Sequence, residues 1–191
     1  MEGFKGKYDV GYYDDLVRIQ SRLAEEVTKV RWEWILETCQ MPRGHRVENV
    51  IDYGSGLGHM RVFAPEHVNV FTYEPQLHVP STGLPGTNVI VDVVTMYDVL
   101  EHIPCLWDQT LTAVLSNTRF VVISVPVLPE GEDLYTWHHY KPGEHLHYWC
   151  RDSLLKFLRT IRKDVEVKAF GRPECPPRLD IETFTFEMTA K

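Results

Sequence analysis

From Tyr12 to Cys39 the apolar residues Leu16, Ile19, Leu23, Val27, Val30 and Trp34 recur at three- and four-residue spacing, the period of an amphipathic helix. Asp14 or Asp15 is placed to cap it, and Met41-Pro42-Arg43-Gly44 breaks the pattern at its far end. Val47 to Tyr53 then form a short apolar strand that runs straight into Gly54-Ser55-Gly56-Leu57-Gly58. A short helix is expected from the glycines to just before Pro65, and Val68 to Tyr73 read as a second strand ending at Glu74. Pro75, Pro80 and Pro85, with glycines between, make residues 75–90 a loop or a stunted crossover. Val89 to Tyr97 is β-branched enough for a buried strand, Cys105 to Leu115 has helical spacing, and Phe120 to Val125 is another buried strand. After a loop over 126–150, Asp152 or Ser153 can cap a helix carrying Leu154, Leu155, Phe157, Leu158 and Ile161. Val165 to Phe170 and Ile181 to Thr189 instead alternate apolar and polar residues across a proline-rich connection, as the strands of a hairpin do. Strands alternating with helices and closed by a hairpin describe an α/β chain.

At 191 residues this pattern fits one domain, 1–191, with residues 1–45 as an N-terminal helical cap and 46–191 as the core. The chain is 43% hydrophobic and 25% charged, and no apolar run approaches the roughly 20 residues that span a bilayer. The N-terminus lacks the basic-then-apolar pattern of a signal peptide, so a soluble, cytoplasmic protein with no membrane partner is expected. Cys39, Cys105, Cys150 and Cys175 are widely spaced and read as reduced thiols. A formal charge of −7 supplies no field for gathering phosphates and disfavours nucleic acid as a partner. Arg151, Lys156, Arg159, Arg162 and Lys163 cluster locally, and a solvated helix face accounts for them best.

The glycine turn between a strand and a helix, followed by a strand ending in an acid, is the layout of a nucleotide site: glycines allow a sharp turn and close backbone approach. The spacing excludes two common users of that layout. A dinucleotide fingerprint needs its third glycine at position 59, which is His59, and no Lys-Ser or Lys-Thr follows for a phosphate loop. Glu74, at the end of the second strand, suits a carboxylate that accepts ribose hydroxyls.

Val50-Ile51-Asp52-Tyr53-Gly54-Ser55-Gly56-Leu57-Gly58 resembles the first motif of class I S-adenosylmethionine-dependent methyltransferases. Asp92 to His102 is similar to their fourth-strand motif, in the small-molecule subgroup that carries an acid, two residues, then Glu-His. Ile123-Ser124-Val125-Pro126 and Gly143 to Trp149 extend the resemblance, which runs from about residue 8 to 162. It implies a Rossmann-like, mostly parallel sheet of seven strands with helices on both faces and a C-terminal antiparallel hairpin. It also implies S-adenosyl-L-methionine as cofactor and S-adenosyl-L-homocysteine as product, bound by Asp52, Gly54, Ser55, Gly56, Gly58, Glu74, Tyr97 and Asp98. Family members fit a helix and a third strand, ending in an adenine-contacting acid, between the equivalents of Glu74 and Asp92. That stretch is too short and proline-rich here to assign such an acid.

The acceptor expected is a hydroxyl or amine of a small molecule, and the rival is a cofactor-binding partner subunit that lacks turnover. Trp137 to Trp149 is the densest aromatic and histidine stretch of the chain, and loops beyond the carboxyl ends of parallel strands are where α/β folds place ligands. The competing account makes its aromatics satellite core. His145 and His147 are the leading candidates for the proton acceptor, since residues two apart in an extended segment point the same way; His102 is a further candidate whose structural role is favoured. Cys105 after Pro104 is a weak candidate nucleophile. A zinc site from His138, His139, His145 and His147 matches no standard spacing. Asp98, Glu101 and His102 match a pattern that some quinone-precursor O-methyltransferases are thought to use for a divalent ion. The same pattern occurs in members without metal, and no metal is assigned here.

Overall fold

The computed structural model describes residues 10–75, 81–86, 89–171, 173 and 181–188, leaving aside the side chains of 10–23 and of Arg43. The helix-pattern side chains of Leu16, Ile19 and Leu23, together with Pro80, Cys175 and Thr189, therefore lie outside the described residues.

The elements follow in chain order as α1 (Val10–Thr38), β1 (Asn49–Tyr53), α2 (His59–Val62), β2 (Asn69–Tyr73), β3 (Val91–Tyr97), α3 (Gln109–Ser116), β4 (Thr118–Pro126), α4 (Arg151–Ile161), β5 (Val165–Gly171) and β6 (Ile181–Met188). Single 3₁₀ turns sit at Pro42–Gly44 and Leu100–His102. The strands form one sheet in the order β2-β1-β3-β4-β6-β5. β2, β1, β3 and β4 run parallel, while β6 is antiparallel to both β4 and β5, so the C-terminal hairpin inserts its second strand next to β4.

Alternation along the strands sends side chains to two apolar layers. Ile51, Tyr53, Met96, Val121, Ile123 and Val125 pack under α3 and α4, with Leu111, Leu115, Leu154 and Leu158. Val50, Val93, Tyr97, Phe120 and Val122 pack under α1 and α2, with Trp32, Ile35 and Met60. Helices thus cover both faces, which is why β3 and β4 are buried almost end to end. The later part of α1 is core material: Trp32 donates its indole N–H to the Met60 carbonyl at 3.0 Å.

Several sequence expectations need correction. The sheet has six strands among the described residues, not seven, because the stretch after Glu74 is too short and too proline-interrupted to add one. Ser81 to Gly83 instead runs back along the outer edge of β2. Thr82 Oγ1 accepts from the Thr72 amide at 2.8 Å, and the Thr72 carbonyl accepts from Ser81 Oγ at 2.6 Å and Gly83 N at 3.1 Å. An otherwise open sheet edge is covered this way. Asp14 and Asp15 lie inside α1, which starts at Val10, so neither caps it. The helix expected from Cys105 starts at Gln109, where Asp108 Oδ1 accepts from the amides of Thr110 and Leu111 at 2.9 and 3.2 Å. α4 is capped from Cys150 through a box with Ser153, whose hydroxyl accepts from the Cys150 amide at 2.9 Å.

Candidate cofactor and acceptor site

Three chain segments leave the sheet side by side at the carboxyl ends of β1, β2 and β3. After β1 the amides of Gly54 and Ser55 both donate to the Tyr73 carbonyl, at 2.8 and 3.2 Å, which ties the glycine loop to the end of β2. Gly54, Gly56 and Gly58 all have positive φ, at 74°, 51° and 75°. Their roles differ. A Cβ on Gly54 would sit 2.5 Å from a Val99 methyl, so this glycine lets the loop cross the exit of β3, whereas Gly56 has nothing within 4 Å and borders open space. Glu74, just past β2, accepts from the Gly56 amide at 3.0 Å, bringing its carboxylate to the lip of that space. α2 is a single turn, so the loop amides rather than a long helix dipole define the polarity here.

Below the loop, Asp52 is buried and accepts from the Thr95 hydroxyl at 3.0 Å. Burial raises its carboxyl to about 6, against the pull of that hydrogen bond and of Arg31. Asp98 is the one non-glycine residue of positive φ among those described, at 56°, held by its amide donating to the Ser124 carbonyl at 2.9 Å. Arg31, from α1, stacks over the Tyr97 ring at 4.1 Å and comes within 3.7 Å of the Asp98 carboxylate. Sequence reasoning missed Arg31. It is one cation in a helix of regular pattern, and only the folded packing of α1 on β3 brings it to the site.

The histidine-rich loop closes over the segment that follows Asp98. Its base is pinned by Leu128 N donating to the Trp149 carbonyl at 2.9 Å, and its return strand by Leu146 N and His147 N donating to the Glu101 carbonyl at 2.7 and 3.2 Å. Trp137, Trp149 and His145 are buried, so part of the aromatic stretch is indeed satellite core. The His145 ring meets that of His102 edge-on at 4.9 Å. Burial, then the neighbouring His102, push His145 down to about 4. Nε2 of His147, on a half-buried ring, pairs with the Ile103 carbonyl at 2.9 Å. Nδ1 of His102 donates to the Glu144 carbonyl at 2.9 Å. The two metal-ligand sets weighed from the sequence are not what the fold assembles. Asp98 turns to Arg31, and the ligand atoms that come together, within 4.8 Å of one another, are those of Glu101, His102 and His145. Cys105 is exposed in the loop before α3.

A family model described as a methyltransferase domain matches residues 20–161. The chain belongs to the methyltransferase domain family. No curated protein matches the sequence. Among solved structures this methyltransferase is similar in fold to three enzymes of low sequence identity. The plantazolicin methyltransferase BpumL, in complex with S-adenosylhomocysteine, superposes with a TM-score of 0.61 at 9% identity, over 96% of this chain and 92% of that one. A S-adenosylmethionine-dependent methyltransferase from Clostridium acetobutylicum gives 0.56 at 11% identity, over 93% and 99%. The 16S rRNA methylase ArmA gives 0.55 at 13% identity, over 96% and 95%.

Membership makes S-adenosylmethionine the methyl donor and S-adenosylhomocysteine the product of this methyltransferase. The residues fit that group on geometry alone: open space beside Gly56, a carboxylate at its lip, and a second carboxylate below on β1. Among the described residues no helix is long and apolar enough to cross a membrane.

Proposed function

We propose that this methyltransferase acts on a hydroxyl or amine of a small molecule, which enters between the glycine loop and the histidine-rich loop. The observation that supports the reading is the docking of the 127–149 loop on Glu101 to Ile103, directly after the β3 exit, which brings imidazole groups next to the segment that follows Asp98. When bound, S-adenosylmethionine supplies an electrophilic methyl group that an acceptor oxygen or nitrogen takes in line, so the protein mainly positions the reactants and removes a proton.

Gly54, Ser55, Gly56 and Gly58 give close backbone approach for the cofactor. The Glu74 carboxylate accepts its ribose hydroxyls, and the backbone of Tyr97 and Asp98 lines the methionine end, above Asp52. His147 is the favoured proton acceptor. A carbonyl can only accept, so its contact with Ile103 fixes the proton on Nε2 and leaves Nδ1 as the basic nitrogen. His145 and His102 are weaker candidates: the first is buried and shifted down, and the second is braced by Glu144.

Calorimetry with S-adenosylhomocysteine tests the cofactor half of the proposal. Glu74→Ala should weaken binding by about 1–3 kcal/mol, roughly 5- to 150-fold, because the ribose hydroxyls lose a charged acceptor. Equal affinity in wild type and variant would remove Glu74 from the site. Turnover of a small hydroxyl or amine acceptor, found by screening with labelled methyl donor, tests the other half; binding with no turnover on any acceptor would favour a partner subunit without activity.

A further inference from the structure

We propose that Ser124, near the carboxyl end of β4, binds the acceptor: with Tyr97 and Thr183 it forms a subsite under α1 for an uncharged hydroxyl group, that of an alcohol or a phenol. This deepens the small-molecule reading of the acceptor, on which it rests. Ser124 is fully buried, at 0% exposure, and its Oγ has no hydrogen-bond partner among the described residues.

The sheet determines where this hydroxyl points. Register pairs Ser124 with Tyr97 of β3 on one side and with Thr183 of β6 on the other, so the three side chains leave one face in a row. Alternation puts that row on the face of Phe120 and Val122, which α1 covers. α1 is anchored on both sides of it: Arg31 lies over the Tyr97 ring at 4.1 Å, and Trp34 donates to the Thr185 hydroxyl at 3.0 Å. The two faces of the sheet differ here. Toward the carboxyl ends the opposite face stays apolar, with Met96, Ile123, Val125 and Phe184. The α1 face turns polar, with Thr95, Ser124, Thr183 and Thr185 each no more than 1% exposed.

Thr95 and Thr185 are satisfied, the first by donating to Asp52 at 3.0 Å and the second by Trp34 and Thr38. Ser124 Oγ has no such bond among the described residues. A buried hydroxyl without a partner destabilises the free protein, because its hydration is lost and nothing replaces it. An alanine would avoid that loss, so the hydroxyl is accounted for by a ligand that completes it. Its position suits the acceptor. The Ser124 carbonyl accepts from the Asp98 amide at 2.9 Å, which sets the side chain beside the positive-φ turn at Asp98. A serine hydroxyl offers one proton and two lone pairs. It can therefore hold an acceptor O–H and orient the remaining lone pair of the acceptor oxygen toward the methyl group. The groups beside it in the row are a phenol and a second hydroxyl, and Arg31 and Asp98 at its mouth approach within 3.7 Å of each other. Such a set suits a neutral hydroxyl better than a carboxylate or a phosphate.

The full chain, saturated with S-adenosylhomocysteine, is titrated with phenol, toluene and benzoate, and affinity is read by ligand-observed NMR. Wild type should bind phenol in preference to both other probes. In Ser124→Ala the affinity for phenol should fall by roughly 2- to 12-fold, the worth of one neutral hydrogen bond, with toluene and S-adenosylhomocysteine binding unchanged. The melting temperature of the unliganded variant should equal or exceed that of wild type, since no bond is lost. Ser124→Cys, which refills the volume with a weaker donor, should lie between the two in phenol affinity. Equal phenol affinity in wild type and Ser124→Ala, no phenol binding to wild type, or tighter binding of benzoate would each overturn the proposal. So would a melting temperature several degrees lower in Ser124→Ala, the mark of a hydroxyl that holds the fold or a structural water. All these readouts are of binding and melting. An enzyme that methylates only an amine keeps the proposed function and fails this test, whereas a protein without turnover can pass it.

Discussion

Gly54 and Gly56 illustrate how single residues divide between stability and binding. Gly54 combines a φ of 74° with a would-be Cβ contact of 2.5 Å to Val99, so Gly54→Ala meets both left-handed strain and overpacking. The expected cost is about 2–4 kcal/mol, a fall in melting temperature on the order of 10 °C. Gly56→Ala has no such contact and should cost about 1–2 kcal/mol, but it enters the space proposed for the cofactor and should lower S-adenosylhomocysteine affinity in calorimetry. A Gly54 variant as stable as the Gly56 one would contradict the crossing geometry. Asp52 makes a pH-dependent case. Its carboxyl is raised from 3.8 to about 6, so the folded state favours the protonated form. That contribution is fully present below pH 3.8 and lost as pH rises through about 6, leaving a buried carboxylate that costs up to about 3 kcal/mol at neutral pH. Asp52→Asn keeps an acceptor for the Thr95 hydroxyl without the charge. Denaturant melts should find it more stable than wild type at pH 7.5 and close to wild type at pH 4; a difference independent of pH would show that the charge is not the cause.

At the scale of elements, the 127–149 loop separates two histidines that sequence spacing treats alike. His147 is half-buried with one nitrogen fixed on Ile103, whereas His145 is buried against His102. His147→Ala should keep melting temperature and S-adenosylhomocysteine affinity and lower single-turnover transfer at least about tenfold, the lower part of the range for a lost base. Unchanged transfer would exclude it. The periods that made strands and helices readable held for α1, α4 and the hairpin, with ends displaced by a few residues, because long apolar patterns outweigh local exceptions. The alternation of β6 was legible as a strand but not as a buried one: Thr185 lies under α1, bonded to the Trp34 indole at 3.0 Å and to the Thr38 hydroxyl at 2.7 Å. Glu182 is likewise satisfied by a bidentate Arg151, at 2.8 and 2.9 Å. Polar residues at strand spacing signal a solvent face only when no helix brings hydroxyls and guanidinium groups to meet them. For the same reason the glycine loop, Glu74, Asp98, Glu101 and His102 could be read from local spacing, while the approach of Arg31 to Asp98 and of His145 to His102 could not, since these partners come from distant parts of the chain.

For the molecule as a whole, the nature of the acceptor is a question of charge and its placement. The fold does not decide it, since a plantazolicin methyltransferase and a 16S rRNA methylase share the architecture. RNA binding needs cations that neutralise phosphates close to the reacting centre, and a net charge of −7 works against it. The basic stretch of the sequence does not repair this. Arg151 is held by Glu182, and Arg162 donates to the Thr118 carbonyl at 2.9 Å, which places it at the start of β4. Lys163 follows it there, at the opposite end of the parallel strands from Asp98 and the glycine loop. A polyanion attracted to that end would lie away from the methyl donor. We therefore expect structured or single-stranded RNA to bind no more tightly than the roughly 10⁻⁴–10⁻⁶ M of non-specific contacts at physiological salt. Filter binding at rising salt, run beside the acceptor screen, checks this. Submicromolar RNA binding with a steep loss on adding salt, accompanied by methyl transfer to that RNA, would show that a cationic surface near the site outweighs the net charge and would replace the proposed small-molecule acceptor with a nucleic acid.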